Sequence, residues 1–124
     1  MKLLIADDDA GVRSLVHLTL EADEHEILEA DNGVTALGMA VAELPDVVLL
    51  DVMMPGMNGL DVCRALKSDH ATSHIVIVML TAQAQENDRA AGASAGADDY
   101  FTKPFSPLAL LHKVQELAMQ APRE

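Results

Sequence analysis

The chain has 124 residues, half of them apolar, with 20 Asp and Glu against 8 Lys and Arg and a formal net charge of −12. That length suits one ordinary domain with a single core, and the apolar share excludes a disordered acidic tail, which lacks the side chains to offset ordering entropy. The charge argues against a nucleic-acid or lipid binder, because phosphates are repelled over the whole surface.

The longest strong apolar run, residues 75–80, falls far short of the roughly 18 to 20 residues that a membrane span needs. The apolar residues 3–6 stop at Asp7, too early for a signal peptide. A lone Cys63 cannot form an internal disulfide, which fits a reducing cytoplasm, the expected location.

In chain order, short β-branched or Leu-rich runs at residues 3–6, 27–30, 47–50, 75–80 and 100–102 predict five strands, with helical spacing between them. The first helical stretch carries Val12, Leu15, Val16, Thr19 and Leu20 on one face. The second carries Val34, Leu37, Val41 and Leu44 and ends at Pro45, which cannot continue a helix. The third runs from about Leu60 through Cys63 and Leu66. The fourth, residues 85–97, is Ala-rich and broken by Gly92 and Gly96, each costing about 1 kcal/mol relative to Ala, so a loosely held helix is expected. The fifth opens with Ser106 as N-cap and Pro107 at the first helical position, and is expected to bury Leu108, Leu111, Val114 and Leu117. Residues 1–120 are read as one domain and 121–124 as a short frayed tail.

Five strands alternating with five helices, the middle strands continuously apolar, predict an α/β fold: a single doubly wound parallel sheet covered on both faces. Such folds bind ligands beyond the carboxyl ends of the strands, near the point where strand order reverses. Those positions hold Asp7, Asp8 and Asp9 after strand one, Asp51 after strand three, Thr81 after strand four and Lys103 after strand five. Two carboxylates about 5 Å apart repel by about 3 kcal/mol at an effective dielectric of 20, so the cluster needs a cation. An oxygen-rich set without His or Cys nearby in sequence favours Mg²⁺ over Zn²⁺. Mg²⁺ takes one or two carboxylates and keeps room for a phosphoryl oxygen; Lys103 could neutralise a second oxygen and Thr81 could donate to a third. These are the parts of a phosphoryl-transfer site with a carboxylate nucleophile.

Four segments carry a family resemblance: Leu4-Ile5-Ala6-Asp7-Asp8, residues 48–59 from Val48-Leu49-Leu50-Asp51 to Asn58-Gly59, Val78-Met79-Leu80-Thr81-Ala82, and residues 96–105 around Tyr100 and Lys103-Pro104. In that order, each after a predicted strand, they resemble the response-regulator receiver domain of two-component signalling, from Lys2 to about Met119. The resemblance implies a flavodoxin-like sheet of order 2-1-3-4-5. It makes Asp51 the acceptor of a phosphoryl group from a phosphohistidine, Asp8 a direct Mg²⁺ ligand, Asp7 a ligand acting largely through water, and Met53 a ligand through its backbone carbonyl. Lys103 resembles the phosphate-pairing lysine, usually followed by a cis peptide before the proline. Thr81 and Tyr100 match the switch pair: Thr81 moves toward the new phosphoryl group, and Tyr100 swings into the vacated space. The switched surface is then the fourth helix, fifth strand and fifth helix. Implied partners are a sensor histidine kinase or histidine phosphotransfer protein and a downstream protein target, with the chain a monomer or a phosphorylation-dependent dimer.

Simpler readings stand beside these. Asp7 to Asp9 could cap a helix N-terminus, Tyr100 could be a half-buried strand aromatic, and Cys63 a buried inert thiol. His70 and His74 have helical metal spacing but fall in a predicted loop, and so read as solvated. His17 could suggest a phosphohistidine carrier, a helical-bundle class that five strands disfavour. Gly11, Ser14 and Leu18 share a face of the first helix away from its core stripe, a candidate kinase-docking face. As a function, a binding switch with slow self-dephosphorylation leads. An aspartyl-phosphate phosphatase would typically need a second Asp at position 53, where Met53 stands, and a cap for which the chain lacks length. A receiver fragment of a larger transcription factor or signalling enzyme is the other alternative; the sequence leans toward a stand-alone protein.

The acidity is lopsided. Residues 1–62 hold 13 acids and 2 bases, −11, and residues 63–124 hold 7 acids and 6 bases, −1. The nearly neutral half carries the expected output surface, which should therefore bind through packing more than charge.

Overall fold

The computed structural model describes residues 1–21, 25–81, 95–102 and 106–120, with the side chains of 81 and 118–120 left aside. Five strands form one parallel sheet: β1 (Lys2–Ala6), β2 (Glu26–Ala30), β3 (Val47–Asp51), β4 (Val76–Thr81) and β5 (Asp99–Thr102), in the order β2-β1-β3-β4-β5. The described helices are α1 (Ala10–Glu21), α2 (Gly33–Glu43), α3 (Gly59–Ser68) and α4 (Pro107–Gln120). The expected helix at 85–97 lies mostly outside the described residues. The last helix, α4, is therefore the fifth stretch of the sequence reading. Its predicted cap is present: Ser106 Oγ accepts from Ala109 N at 3.3 Å and Ser106 O from Leu110 N at 3.0 Å.

Alternation along the central strands divides the core into two layers. Leu4, Ala6, Val48, Leu50, Ile77 and Met79 face α2 and α3. Leu3, Ile5, Val47, Leu49, Val78 and Leu80 face Val16 and Leu20 of α1 and Leu110 and Val114 of α4. Every residue of β3 is buried, as a strand covered on both faces requires.

Helix faces depart from the sequence reading. Leu15 is exposed, so α1 turns Val12, Val16 and Leu20 inward; Leu108 is also exposed, and Leu110 takes the buried place. The largest difference is α2. Val34, Val41 and Leu44 are exposed, while Gly33, Ala36 and Ala40 form the buried side. Small residues lie inward because the helix comes very close to its neighbours: a β-carbon on Gly33 would stand 1.8 Å from the Met57 carbonyl oxygen. The helix ends with Leu44 in the left-handed region at φ 48°, its N–H donating to Ala40 O, and Pro45 following.

Candidate functional site

The chain leaves β1 for the sheet edge at β2 and returns past β1 to β3, so the strand order reverses between β1 and β3. Asp7 follows β1 directly, its N–H continuing the ladder to Ala30 O at 3.1 Å. Asp51 is the last residue of β3, opposite Leu80 of β4. One oxygen from each of Asp7, Asp8 and Asp51 lies within 4.8 Å of the others. Asp7 and Asp51 are buried and Asp8 is exposed, so the cluster opens on one side.

The three consecutive acids have separate tasks. Asp9 caps α1, accepting from Gly11 N at 2.8 Å and Val12 N at 3.3 Å, so the simpler reading holds for this residue. Asp7 accepts from Asp9 N at 2.9 Å through one oxygen, which fixes its carboxylate. Asp8 turns toward Asp51.

A chain of charges behind the cluster was not visible in the sequence. Arg13 Nη1 donates to the Asp7 carbonyl at 2.7 Å, Arg13 Nε lies 3.4 Å from Glu29, and His17 Nδ1 lies 2.7 Å from the other Glu29 oxygen. Arg13 and His17 are four residues apart on α1 and meet the outward position of β2, a pairing that spacing could suggest only once the two elements are known to pack. His17 thus lies between Glu29 and Glu21, 2.7 and 3.7 Å from their carboxylates.

Asp51 is held from behind by α3. Asn58 Oδ1 accepts from Asp61 N at 2.9 Å and starts that helix, and Gly59 N donates to Val52 O at 2.9 Å. A β-carbon on Gly59 would stand 2.1 Å from the Asp51 carbonyl oxygen, so only glycine permits this approach. The connecting loop turns at Gly56, φ 77°. Met53, two residues beyond Asp51, is exposed, while Met54 points into the core.

On the far side of the sheet, Thr81 ends β4 in register with Thr102, and Tyr100 pairs with Met79, half-buried against the α2–α3 core layer. The Thr81 side chain and all of Lys103, with the peptide before Pro104, lie outside the described residues. β5 is tied to the helices on both sides. Lys113 Nζ meets Asp99 at 2.8 Å, a hydrogen bond that holds the ammonium above the ordinary lysine range. Lys67 Nζ meets Asp98 at 2.8 Å and also donates to Ile75 O at 2.7 Å. Cys63 is buried with its Sγ 3.4 Å from Ala95 O, and burial pushes its thiol up to about 11. His70 and His74 are both exposed, as read from the sequence.

A doubly wound parallel sheet with a carboxylate cluster at its reversal point defines a class of phosphoryl- or nucleotide-handling α/β domain. Within that class, residues 3–115 match the response regulator receiver domain, and the chain belongs to that family. It is 46% identical over 117 residues to the response regulator PleD of Caulobacter vibrioides, covering 94% of this chain and 26% of PleD. It is 43% identical over 113 residues to the phosphate regulon transcriptional regulatory protein PhoB of Pseudomonas aeruginosa, covering 91% of this chain and 49% of PhoB. The solved chemotaxis protein CheY4 of Vibrio cholerae superposes with a TM-score of 0.88 at 32% identity, covering 94% of this chain and 97% of CheY4. The chain thus spans about a quarter of PleD and about half of PhoB. Receiver domains are the phosphoacceptor modules of two-component systems, bind Mg²⁺ at an acidic pocket, and interact with histidine kinases or phosphotransfer proteins. Among the described residues no helix is long and apolar enough to cross a membrane.

Proposed function

We propose that this domain, residues 1–120 with a tail at 121–124, is a cytoplasmic, Mg²⁺-dependent phosphoacceptor switch. It acts by binding partners and turns over no external substrate. The observation that carries the reading is the convergence of Asp7, Asp8 and Asp51 within 4.8 Å at the strand-order reversal.

The donor set fits Mg²⁺: the converging side-chain atoms are all carboxylate oxygens, and the spacing admits one or two direct carboxylate ligands with water in the shell. Asp8 would be the direct carboxylate ligand with Asp51, Asp7 would act largely through water, and the Met53 carbonyl would complete the protein set. When bound, the ion supplies charge neutralisation for the cluster and for an incoming phosphoryl oxygen.

A carboxylate oxygen of Asp51 attacks the phosphorus of a phosphohistidine on a sensor histidine kinase or histidine phosphotransfer protein. The P–N bond breaks, its electron pair stays on the imidazole, and an acyl phosphate forms on Asp51. The near-complete burial of Asp51 and the close backing of its backbone by α3 at Gly59 support a carboxylate held in place for this attack. Lys103 pairs with one phosphoryl oxygen and the Thr81 hydroxyl donates to another. Tyr100 then turns inward, and the surface of residues 85–97, β5 and α4 changes the downstream protein it binds. Self-dephosphorylation is slow, as the switch reading requires. The acidic surface of the domain itself makes no direct contact with nucleic acid or membrane.

The test is incubation with Mg²⁺ and acetyl phosphate, followed by intact mass. One added phosphoryl group on the wild type and none on Asp51→Asn is expected. No adduct, or an equal adduct on Asp51→Asn, refutes the acceptor assignment. A second arrangement, a receiver within a longer transcription factor or signalling enzyme, is favoured by the 26% and 49% coverage of PleD and PhoB. Reading the gene past codon 124 distinguishes the two.

A further inference from the structure

We propose that Arg13 is a positioning residue of the acid cluster: by fixing the peptide between Asp7 and Asp8, it aims the Asp8 carboxylate at the place where the cation binds. The inference rests on the Mg²⁺ reading above. Asp7 is fully buried and lies one residue beyond the register that β1 shares with β2 and β3, so its carbonyl needs a partner from outside the regular pairing. Arg13, at the start of α1, supplies it, with Nη1 donating at 2.7 Å. The Asp7 N–H donates to Ala30 O at 3.1 Å, and one Asp7 carboxylate oxygen accepts from Asp9 N at 2.9 Å. Held at all three groups, Asp7 cannot turn, and the peptide leading to Asp8 keeps one orientation. Asp8 depends on that orientation. Its carboxylate is exposed and, among the described residues, takes part in no hydrogen bond, yet it stands within 4.8 Å of Asp7 and Asp51. Its direction is therefore set by the backbone from which it grows.

The surroundings suit an arginine and not a lysine. Arg13 Nε lies 3.4 Å from Glu29, whose other oxygen lies 2.7 Å from His17 Nδ1, so the carboxylate is oriented at both oxygens. Glu29 directly precedes Ala30 on β2, so one strand end holds the Asp7 N–H directly and the Asp7 carbonyl through Arg13. A flat guanidinium meets both partners in a fixed plane, which a single ammonium does not. The Arg13 side chain is only 19% exposed, so its charge is weakly screened beside an acidic cluster. Charge and position therefore predict opposite signs. By charge alone, removing Arg13 tightens Mg²⁺ binding; by loss of position, it weakens it.

Calorimetric titration of the chain with Mg²⁺ reads the affinity, and urea unfolding reads stability separately. Arg13→Met should raise the Mg²⁺ dissociation constant about ten- to a hundredfold, the range found for residues that orient metal ligands. Arg13→Lys keeps the charge but not the fork, and should fall between wild type and Arg13→Met. Arg64→Met removes the same charge from α3 and should not weaken binding. In the metal-free chain, the carbonyl carbon resonance of Asp7 should move upfield in Arg13→Met, as a lost hydrogen bond requires. A residue that only stabilised the fold would lower the urea midpoint of Arg13→Met and leave the dissociation constant unchanged. The proposal fails if Arg13→Met binds Mg²⁺ as tightly as wild type or more tightly, if Arg64→Met weakens binding equally, or if the Asp7 resonance does not move. It also fails if Arg13→Lys keeps the wild-type affinity, and that variant decides alone should Arg13→Met not fold. A wild type that binds no Mg²⁺ overturns the Mg²⁺ reading and this inference together, whereas equal binding by wild type and Arg13→Met overturns this inference alone.

Discussion

Replacing Gly59 by alanine would put a β-carbon 2.1 Å from the Asp51 carbonyl oxygen, 2.9 Å from its carbonyl carbon and 3.1 Å from Val52 Cα. Real β-carbons essentially never approach closer than 3.0 Å, so the carbonyl oxygen and α3 must separate by about 1 Å. All three neighbours are backbone and cannot rotate away. The cost belongs at the upper end of the overpacking range, about 3 kcal/mol. The same substitution at Gly38 meets nothing within 4 Å and should stabilise by about 0.8 to 1 kcal/mol, raising Tm by about 4 °C. Gly33→Ala, at 1.8 Å from the Met57 carbonyl oxygen, should behave like Gly59→Ala. Urea unfolding of the three variants, with m-values compared to confirm an unchanged denatured state, reads the energies. Phosphorylation by acetyl phosphate reads the geometry: a displaced Asp51 should react about a hundredfold more slowly in Gly59→Ala and normally in Gly38→Ala. A neutral Gly59→Ala or a destabilised Gly38→Ala would refute the close-packing argument.

Asp8→Asn relieves repulsion within the cluster, so it should stabilise the metal-free protein by up to about 3 kcal/mol. In the same variant, the rise in Tm that Mg²⁺ gives the wild type, and EDTA removes, should largely disappear; an equal rise in both would remove Asp8 from the ion. Cys63 should resist alkylation at neutral pH until the chain unfolds, because burial disfavours its thiolate; a native rate matching the unfolded one would contradict that burial. Its raised value also has a pH signature. The unfolded chain releases this proton first, so stability should fall as pH rises from about 9 to about 11, and Cys63→Ala should flatten that limb of the curve. Lys67→Met leaves the Asp98 carboxylate and the Ile75 carbonyl without their ammonium and should cost about 1 to 3 kcal/mol in urea unfolding, while a neutral result would mean water replaces the Lys67 contacts.

Three adjacent aspartates illustrate what spacing cannot resolve. Asp7, Asp8 and Asp9 are chemically identical in the sequence, yet one is buried under β2, one faces Asp51 and one caps α1. Their directions are set where a strand turns into a helix, and that turn depends on the packing of both elements. The faces of α2 had a different cause. Apolar residues recur at helical spacing on more than one arc, and the close approach at Gly33 decides that Gly33, Ala36 and Ala40 face inward in place of Val34 and Val41.

The alternation of strands and helices, the parallel sheet, and the acids at the ends of β1 and β3 are legible in the residues alone, because they depend on local period and on side chains that a buried strand does not tolerate without a use. That Asp7, Asp8 and Asp51 meet within 4.8 Å, that Arg13 and Glu29 stand behind them, and that glycine must occupy position 59 emerges from the packed fold. Those facts join residues far apart in the chain, and the distances between them are set by how closely helices pack on a sheet. The net charge of −12 was legible from the first count, but its meaning was not. Folding buries Asp7 and Asp51 in the cluster and leaves an uncharged stripe on α2 within the most acidic part of the chain, because packing selects which side chains meet water.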